Sequence, residues 1–186
     1  MQAVIMAGGE GTRMRPYTNI LPKPLLPIGR CSIIEINIKQ LAKAGVKEII
    51  ISVGYLGELI ESVIGNGEKY NLKIEYLYED KPMGTVGSLF LISEKLNEDF
   101  IVMNGDILHN VNFKSLLDYH NYNKNVNVTI TTSKYSHQVP LGVLDIKNNN
   151  VLKYIEKPIS DYLVSMGIYA LNKNLINKYV TSNSYM

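Results

Sequence analysis

The chain has 186 residues, 46% of them hydrophobic and 19% charged, a composition that suits a soluble globular domain and excludes a disordered polyelectrolyte. Nineteen basic against seventeen acidic side chains leave a net charge of +2, so no global field marks a nucleic-acid binder and any cation that matters acts locally. The single cysteine, Cys31, excludes an internal disulfide framework or cysteine zinc site and reads as a reduced thiol.

The opening MQAVIMAGG lacks a basic start and is too short an apolar run for a secretory leader; no later run is long enough to span a bilayer. A cytoplasmic chain is the expectation. AVIM at 3–6 predicts a strand covered on both faces. A glycine loop follows, AGGEGTRMRP at 7–16, then LPKPLLPIG at 21–29, whose prolines rule out a helix or a central strand. Ile34, Ile38, Leu41 and Ala42 repeat at helical spacing, with Ser32 and Glu35 placed as a capping box and Gly45 as terminator. KEIIISV at 47–53 is the next strand, Leu59, Ile60, Val63 and Ile64 mark a helix, and LKIEYLY at 72–78 a further strand. A helix is predicted from Val86 to Leu96, with Leu89, Ile92 and Leu96 inward, and FIVMNGD at 100–106 is a strand ending in a polar turn. Phe113, Leu116, Leu117 and His120 share one helical face, which makes His120 a packed histidine; His109 and His137 read as loop residues. Beyond 126 the texture changes: VNVTITT alternates, LGVLDI and VLKYI flank KNNN as a hairpin would, VSMGIYAL at 164–171 is a strand, and a last helix starts near Asn172. Strand–helix units followed by mixed strands predict an α/β sandwich with a mostly parallel sheet, whose ligands bind beyond the carboxyl ends of the strands.

The glycine loop sits at such an end. Gly8, Gly9 and Gly11 let backbone approach a ligand and turn its N–H groups toward phosphate oxygens. Two familiar motifs fail there: Thr12-Arg13 stands where a Walker loop needs its lysine and hydroxyl, and Pro16 occupies the helix-opening place of a dinucleotide fingerprint. A stiff proline-rich loop holding Lys23 near Arg13 would make a cationic cradle for a polyphosphate, and would otherwise be a surface connection with a solvated lysine. NGD at 104–106 reads equally as an ordinary turn or as a strand-end metal ligand, and EKP at 156–158 as a solvated ion pair before a proline.

AGGEGTRMRPYT followed by PKPLLPIG resembles the N-terminal signature of sugar-phosphate nucleotidylyltransferases, and the resemblance runs on through EDKPMGTVGSL, NGD, LGV, EKP and MGIY in the family's order. It covers essentially the whole chain. It implies a Rossmann-like three-layer sandwich with a mostly parallel mixed sheet, one domain over residues 1–186, and transfer of a nucleotidyl group from a nucleoside triphosphate to a sugar 1-phosphate with release of pyrophosphate. By matching positions it implies that Ala7, Gly8, Gly9, Gly11, Thr12, Arg13, Lys23, Glu79, Pro82, Gly84 and Thr85 bind the nucleotide. Arg13 and Lys23 would neutralise its outer phosphates, and Asp106 would hold Mg²⁺, the expected cofactor. Asn104, Asp106, Gly142, Glu156, Lys157 and Gly167 would bind the sugar phosphate, with Glu156 on sugar hydroxyls and Lys157 on the phosphate. The catalytic set is then Arg13, Lys23, Asp106 and Lys157, with no nucleic acid or membrane partner; many relatives are dimers or tetramers, so a homo-oligomer is compatible.

Glu79 carries the expectation about the base. A carboxylate offers two acceptors side by side, matching the N1–H and N2 amino donors of guanine, whereas relatives that use uracil or thymine commonly carry glutamine there. GTP is therefore expected, with UTP or dTTP as the alternative and Asp80 as the alternative reader. Mannose 1-phosphate is the default acceptor, with heptose and amino-sugar 1-phosphates beside it. Two departures stand out. RCSIIE at 30–35 replaces the family's usual lysine-proline pair, and the chain stops at TSNSYM, before the second metal-binding aspartate that the family supplies; Asp161 lies too early for it. The family's C-terminal end is thus expected to be lacking, which opens the alternative of a catalytically silent nucleotide-sugar-binding subunit.

Overall fold

Each of the first three strands of the core forms on an apolar run, and each lies parallel to its neighbour. In the structure, a computed structural model describing residues 1–179 except Pro82 and Lys124, β1 (Gln2–Ala7) leads into three single 3-10 turns and a two-strand ribbon, β2 (Pro27–Ile28) and β3 (Cys31–Ser32). Helix α1 (Ile33–Lys43) follows, then β4 (Glu48–Val53), α2 (Gly57–Ile64), β5 (Lys73–Tyr78), α3 (Gly84–Leu91), β6 (Asp99–Asn104) and α4 (Phe113–Tyr122). The chain closes with β7 (Val128–Gln138), β8 (Val143–Lys147), β9 (Asn150–Ile155), β10 (Ile159–Asn172) and α5 (Lys173–Tyr179).

The α1 start is the predicted capping box. The Ser32 hydroxyl accepts from the Glu35 N–H, and the Glu35 carboxylate accepts from the Ser32 N–H at 3.0 Å. Hydrogen bonds from the Ser32 N–H first, then from the Tyr70 and Ser32 hydroxyls, hold the Glu35 carboxyl below its ordinary value, while burial lifts the Tyr70 hydroxyl. The predicted helix over Val86–Leu96 divides: α3 starts at Gly84 and gives way after Leu91 to a 3-10 turn at Ser93–Lys95, where a serine favours a turn over helix. Leu89, Ile92 and Leu96 still point inward.

The main sheet runs β5-β4-β1-β6-β10-β7, with β4, β5 and β6 parallel to the strands they join and β10 antiparallel to β6. Val4 lies between Ile50 and Val102 in this register. Alternation across the strands builds two cores. Ala3, Ile5, Ile49, Ile51, Ile101 and Met103 pack with α1, α2 and α4, and Val4, Ile50, Phe100 and Val102 pack with Leu89, Ile92 and Ile176 on the other face. The result is the expected Rossmann-like three-layer α/β sandwich with a mostly parallel mixed sheet. From β1 the chain moves outward to β4 and β5, then returns to β6 on β1's other side. This reversal is the switch point at which such sheets open a crevice.

The chain divides into two compact units, one of residues 1–130 with those from Gly167 on, the other Thr131–Met166. In the second unit β8 and β9 pair antiparallel through Asn148 and Asn149, both with positive φ, as asparagine tolerates in a tight hairpin turn. Among the described residues no helix is long and apolar enough to cross a membrane.

Candidate active site

At the carboxyl ends of β1, β5 and β6 the first unit opens a cleft of about 320 Å³, lined by Ala7, Gly8, Gly9, Gly11, Lys23, Glu79, Gly84, Thr85, Asn104 and Asp106, together with Met6 and Pro24. Backbone geometry sets its floor. Gly11 has φ +62°, and a side chain there would press on Thr18, whose hydroxyl donates to the Gly11 carbonyl at 3.0 Å. Gly54, at the end of β4, lies so close that a Cβ would stand 2.9 Å from the Gly8 carbonyl oxygen. The Gly105 N–H donates to the Met6 carbonyl at 2.8 Å and ties the turn after β6 to β1.

Lys23 reaches the cleft from a 3-10 turn, Lys23–Leu25, that Pro22 and Pro24 stiffen and buried Leu25 anchors. Its ammonium stands 2.5 Å from Oδ2 of Asp106. A lysine and an aspartate 83 residues apart thus meet at one point. Glu79, following β5, is held by three donors: the Ser52 hydroxyl at 2.5 Å and the Ser88 hydroxyl at 2.7 Å both donate to Oε1, and the Met83 N–H donates to Oε2 at 3.1 Å. Asn104 ends β6 against Gly167, where φ is +67° and an added Cβ would stand 2.6 Å from the Asn104 amide nitrogen.

Other expected residues fall elsewhere. Thr12 and Arg13 are exposed and are not part of the cleft lining. The neighbouring Arg15 pairs with Glu10 at 3.0 Å. Pro82 lies outside the described residues. Gly142, Glu156 and Lys157 belong to the second unit, where the Tyr154 hydroxyl donates to Glu156 at 2.5 Å and Lys157 Nζ is 3.9 Å from the Glu156 carboxylate. Asp161 is occupied by Ser136 at 2.5 Å and Lys134 at 2.9 Å.

Sequence reasoning missed Ser52, Ser88 and Gly54. The available signal was Ser52 itself, the polar interruption of the apolar run EIIISV.

Among the described residues, no three His, Cys, Asp or Glu side chains gather into a metal cage. Of the two cleft carboxylates, Glu79 is held by three donors, whereas Asp106 faces Lys23. A single carboxylate is the donor that a hard divalent cation would take from the protein when waters and substrate phosphates complete its shell.

The profile of the nucleotidyl transferase family matches residues 2–185. The chain belongs to that family. It is 35% identical to a mannose-1-phosphate guanyltransferase of Aspergillus oryzae and 31% identical to a mannose-1-phosphate guanylyltransferase of Mycobacterium tuberculosis, in each case over 96% of this chain. The matches cover 51% and 50% of those two proteins, so the chain spans about half the length of the curated relatives it matches. Among solved structures it resembles HddC from Yersinia pseudotuberculosis, with a TM-score of 0.74, 26% identity and coverage of 97% of this chain and 80% of that one. HddC has also been solved complexed with GMP-PN.

Proposed function

We propose that this family member transfers the nucleotidyl group of GTP to a sugar 1-phosphate, mannose 1-phosphate by default, giving a GDP-sugar and pyrophosphate. The observation that carries the reading is the meeting of a bare glycine loop, a cation and a hard carboxylate in one switch-point cleft. Relatives named as mannose-1-phosphate guanyltransferases and a solved relative complexed with GMP-PN support the choice of base and acceptor. The location that goes with these substrates is the cytoplasm.

In this reading the Gly8–Gly11 backbone lies along the triphosphate, and Lys23, with Arg13 at the loop's flank, takes the negative charge that grows on the β- and γ-phosphates as they leave. Glu79 accepts from the base. Gly84 and Thr85 border the nucleotide where α3 begins. An oxygen of the sugar phosphate attacks the α-phosphorus in line; the α–β phosphoanhydride bond breaks and its electron pair leaves on pyrophosphate. No protein nucleophile takes part, so the protein's contribution is positioning and electrostatics. Mg²⁺ held by Asp106 would screen the two anions from each other. Glu156 and Lys157, with Gly142, Asn104 and Gly167, keep the sugar-phosphate roles that the family resemblance implies.

Calorimetric titration with GTP, UTP, dTTP, CTP and ATP in Mg²⁺, followed by pyrophosphate release on adding mannose 1-phosphate, tests this. The expected result is GTP preference, weakened in Glu79→Gln, with turnover. Preference for UTP or dTTP refutes the base assignment, and tight GTP binding with no pyrophosphate identifies a binding subunit instead.

A further inference from the structure

Ser52 is fully buried in a strand of isoleucines, and a buried hydroxyl destabilises unless it is bonded. The acceptor the structure gives it is Oε1 of Glu79. Ser88, also fully buried, donates to the same oxygen at 2.7 Å but has a second acceptor within reach, the Gly84 carbonyl at 2.9 Å. A hydroxyl carries one proton, so Ser88 serves one of the two at a time. Each carboxylate oxygen offers about two lone-pair directions. With both serines on Oε1 and the Met83 N–H on Oε2, Glu79 has one direction left, whereas guanine brings two adjacent donors.

We infer that Ser52 is the positioning residue for base selection, and that Ser88 is a competitor that yields. Ser52 fixes the carboxylate from β4; Ser88 turns its proton to Gly84 when the base arrives and frees the second lone pair on Oε1. Gly8 keeps the space beside that oxygen clear, since a Cβ there would stand 3.1 Å away. The inference rests on Glu79 as the reader of guanine and deepens it: selectivity is set by a serine that touches no ligand.

The test compares affinities for GTP and for ITP, which lacks the N2 amino group, in the wild type, Ser52→Ala, Ser52→Thr and Ser88→Ala. Inorganic tripolyphosphate serves as a probe of the phosphate contacts alone. The wild type should favour GTP by on the order of tenfold, the discrimination typical of a paired-donor contact. Ser52→Ala should bring the ratio to within about twofold of unity without altering tripolyphosphate binding, and Ser52→Thr, which keeps the hydroxyl, should restore it. Ser88→Ala should leave the ratio at or above the wild-type value, because the base loses a competitor. Should Ser52→Ala not fold, Ser52→Cys, with its weaker donor, should lower the ratio in its place. A ratio unchanged by loss of the Ser52 hydroxyl, or lowered equally by Ser88→Ala, overturns the inference while leaving Glu79 as reader. A wild type that binds GTP and ITP alike overturns both.

Discussion

Lys23 is bonded to Asp106, so a cation of the protein holds the carboxylate proposed above to take the metal. Replacing Lys23 with methionine keeps the length of the stem and removes the charge. At 2.5 Å and an effective dielectric of 20 the bare attraction is about 7 kcal/mol. Each side chain, however, is about one-third exposed, 33% for Lys23 and 32% for Asp106, so water screens the pair and competes for both ends. What remains is the range of a partly exposed charge-assisted hydrogen bond, about 1–2 kcal/mol. Lys23→Met should therefore strengthen Mn²⁺ binding to the nucleotide-free protein by roughly 5- to 30-fold, at about 1.4 kcal/mol per factor of ten. It should also weaken binding of tripolyphosphate, which loses its cation. Electron paramagnetic resonance of free Mn²⁺ reads the first effect directly. Arg13→Met, which removes an equal charge from an exposed place outside the cleft lining, is the control and should change Mn²⁺ affinity by less than about twofold. Equal gains in the two variants would mean that net charge alone is responsible, and no gain in Lys23→Met would refute the competition itself.

Two predictions concern stability. Ser32→Ala removes one half of the α1 capping box and should cost about 1 kcal/mol, a fall in Tm of roughly 2–4 °C for a chain of this size. Glu75 is held down to about 2 from 4.5 by hydrogen bonds from Lys73 and Lys95. A depressed carboxyl stabilises the fold above its unfolded value and loses that contribution as pH falls toward its folded value. The Tm of Glu75→Gln should therefore lie slightly below wild type at neutral pH and converge with it between pH 4.5 and 2. Added salt should shrink the neutral-pH gap, because both lysines are largely exposed.

The parts of the fold legible in the sequence are those decided within a few residues. Continuous apolar runs marked β1, β4 and β6 because each is covered by helices on both faces. Ser32 and Glu35 marked the α1 start because a cap is a local exchange of hydrogen bonds. His120, on the apolar face of α4, is 3% exposed with Nδ1 2.8 Å from the Thr129 hydroxyl oxygen. By contrast, β10 runs for fourteen residues, Ile159–Asn172, and only its second half was legible, from the apolar run at 164–171. Its first half is mostly exposed, so burial imprints no alternation on that stretch.

The candidate site was legible by residue type and not by pairing, and the distinction has a physical origin. Glycines that must admit backbone, prolines that stiffen a loop and an aspartate at a strand end each show in their own neighbourhood. What joins them is set by the strand order. Because β6 lies beside β1 and β5 lies two strands away on β1's other side, Asp106 meets Lys23 and Glu79 meets the glycine loop. The same order explains Ser52. Its side chain occupies a core position of β4 next to β5, so an isoleucine there would have left the Glu79 carboxylate facing hydrocarbon. The polar residue in this apolar strand is thus the local trace of a carboxylate 27 residues further along the chain.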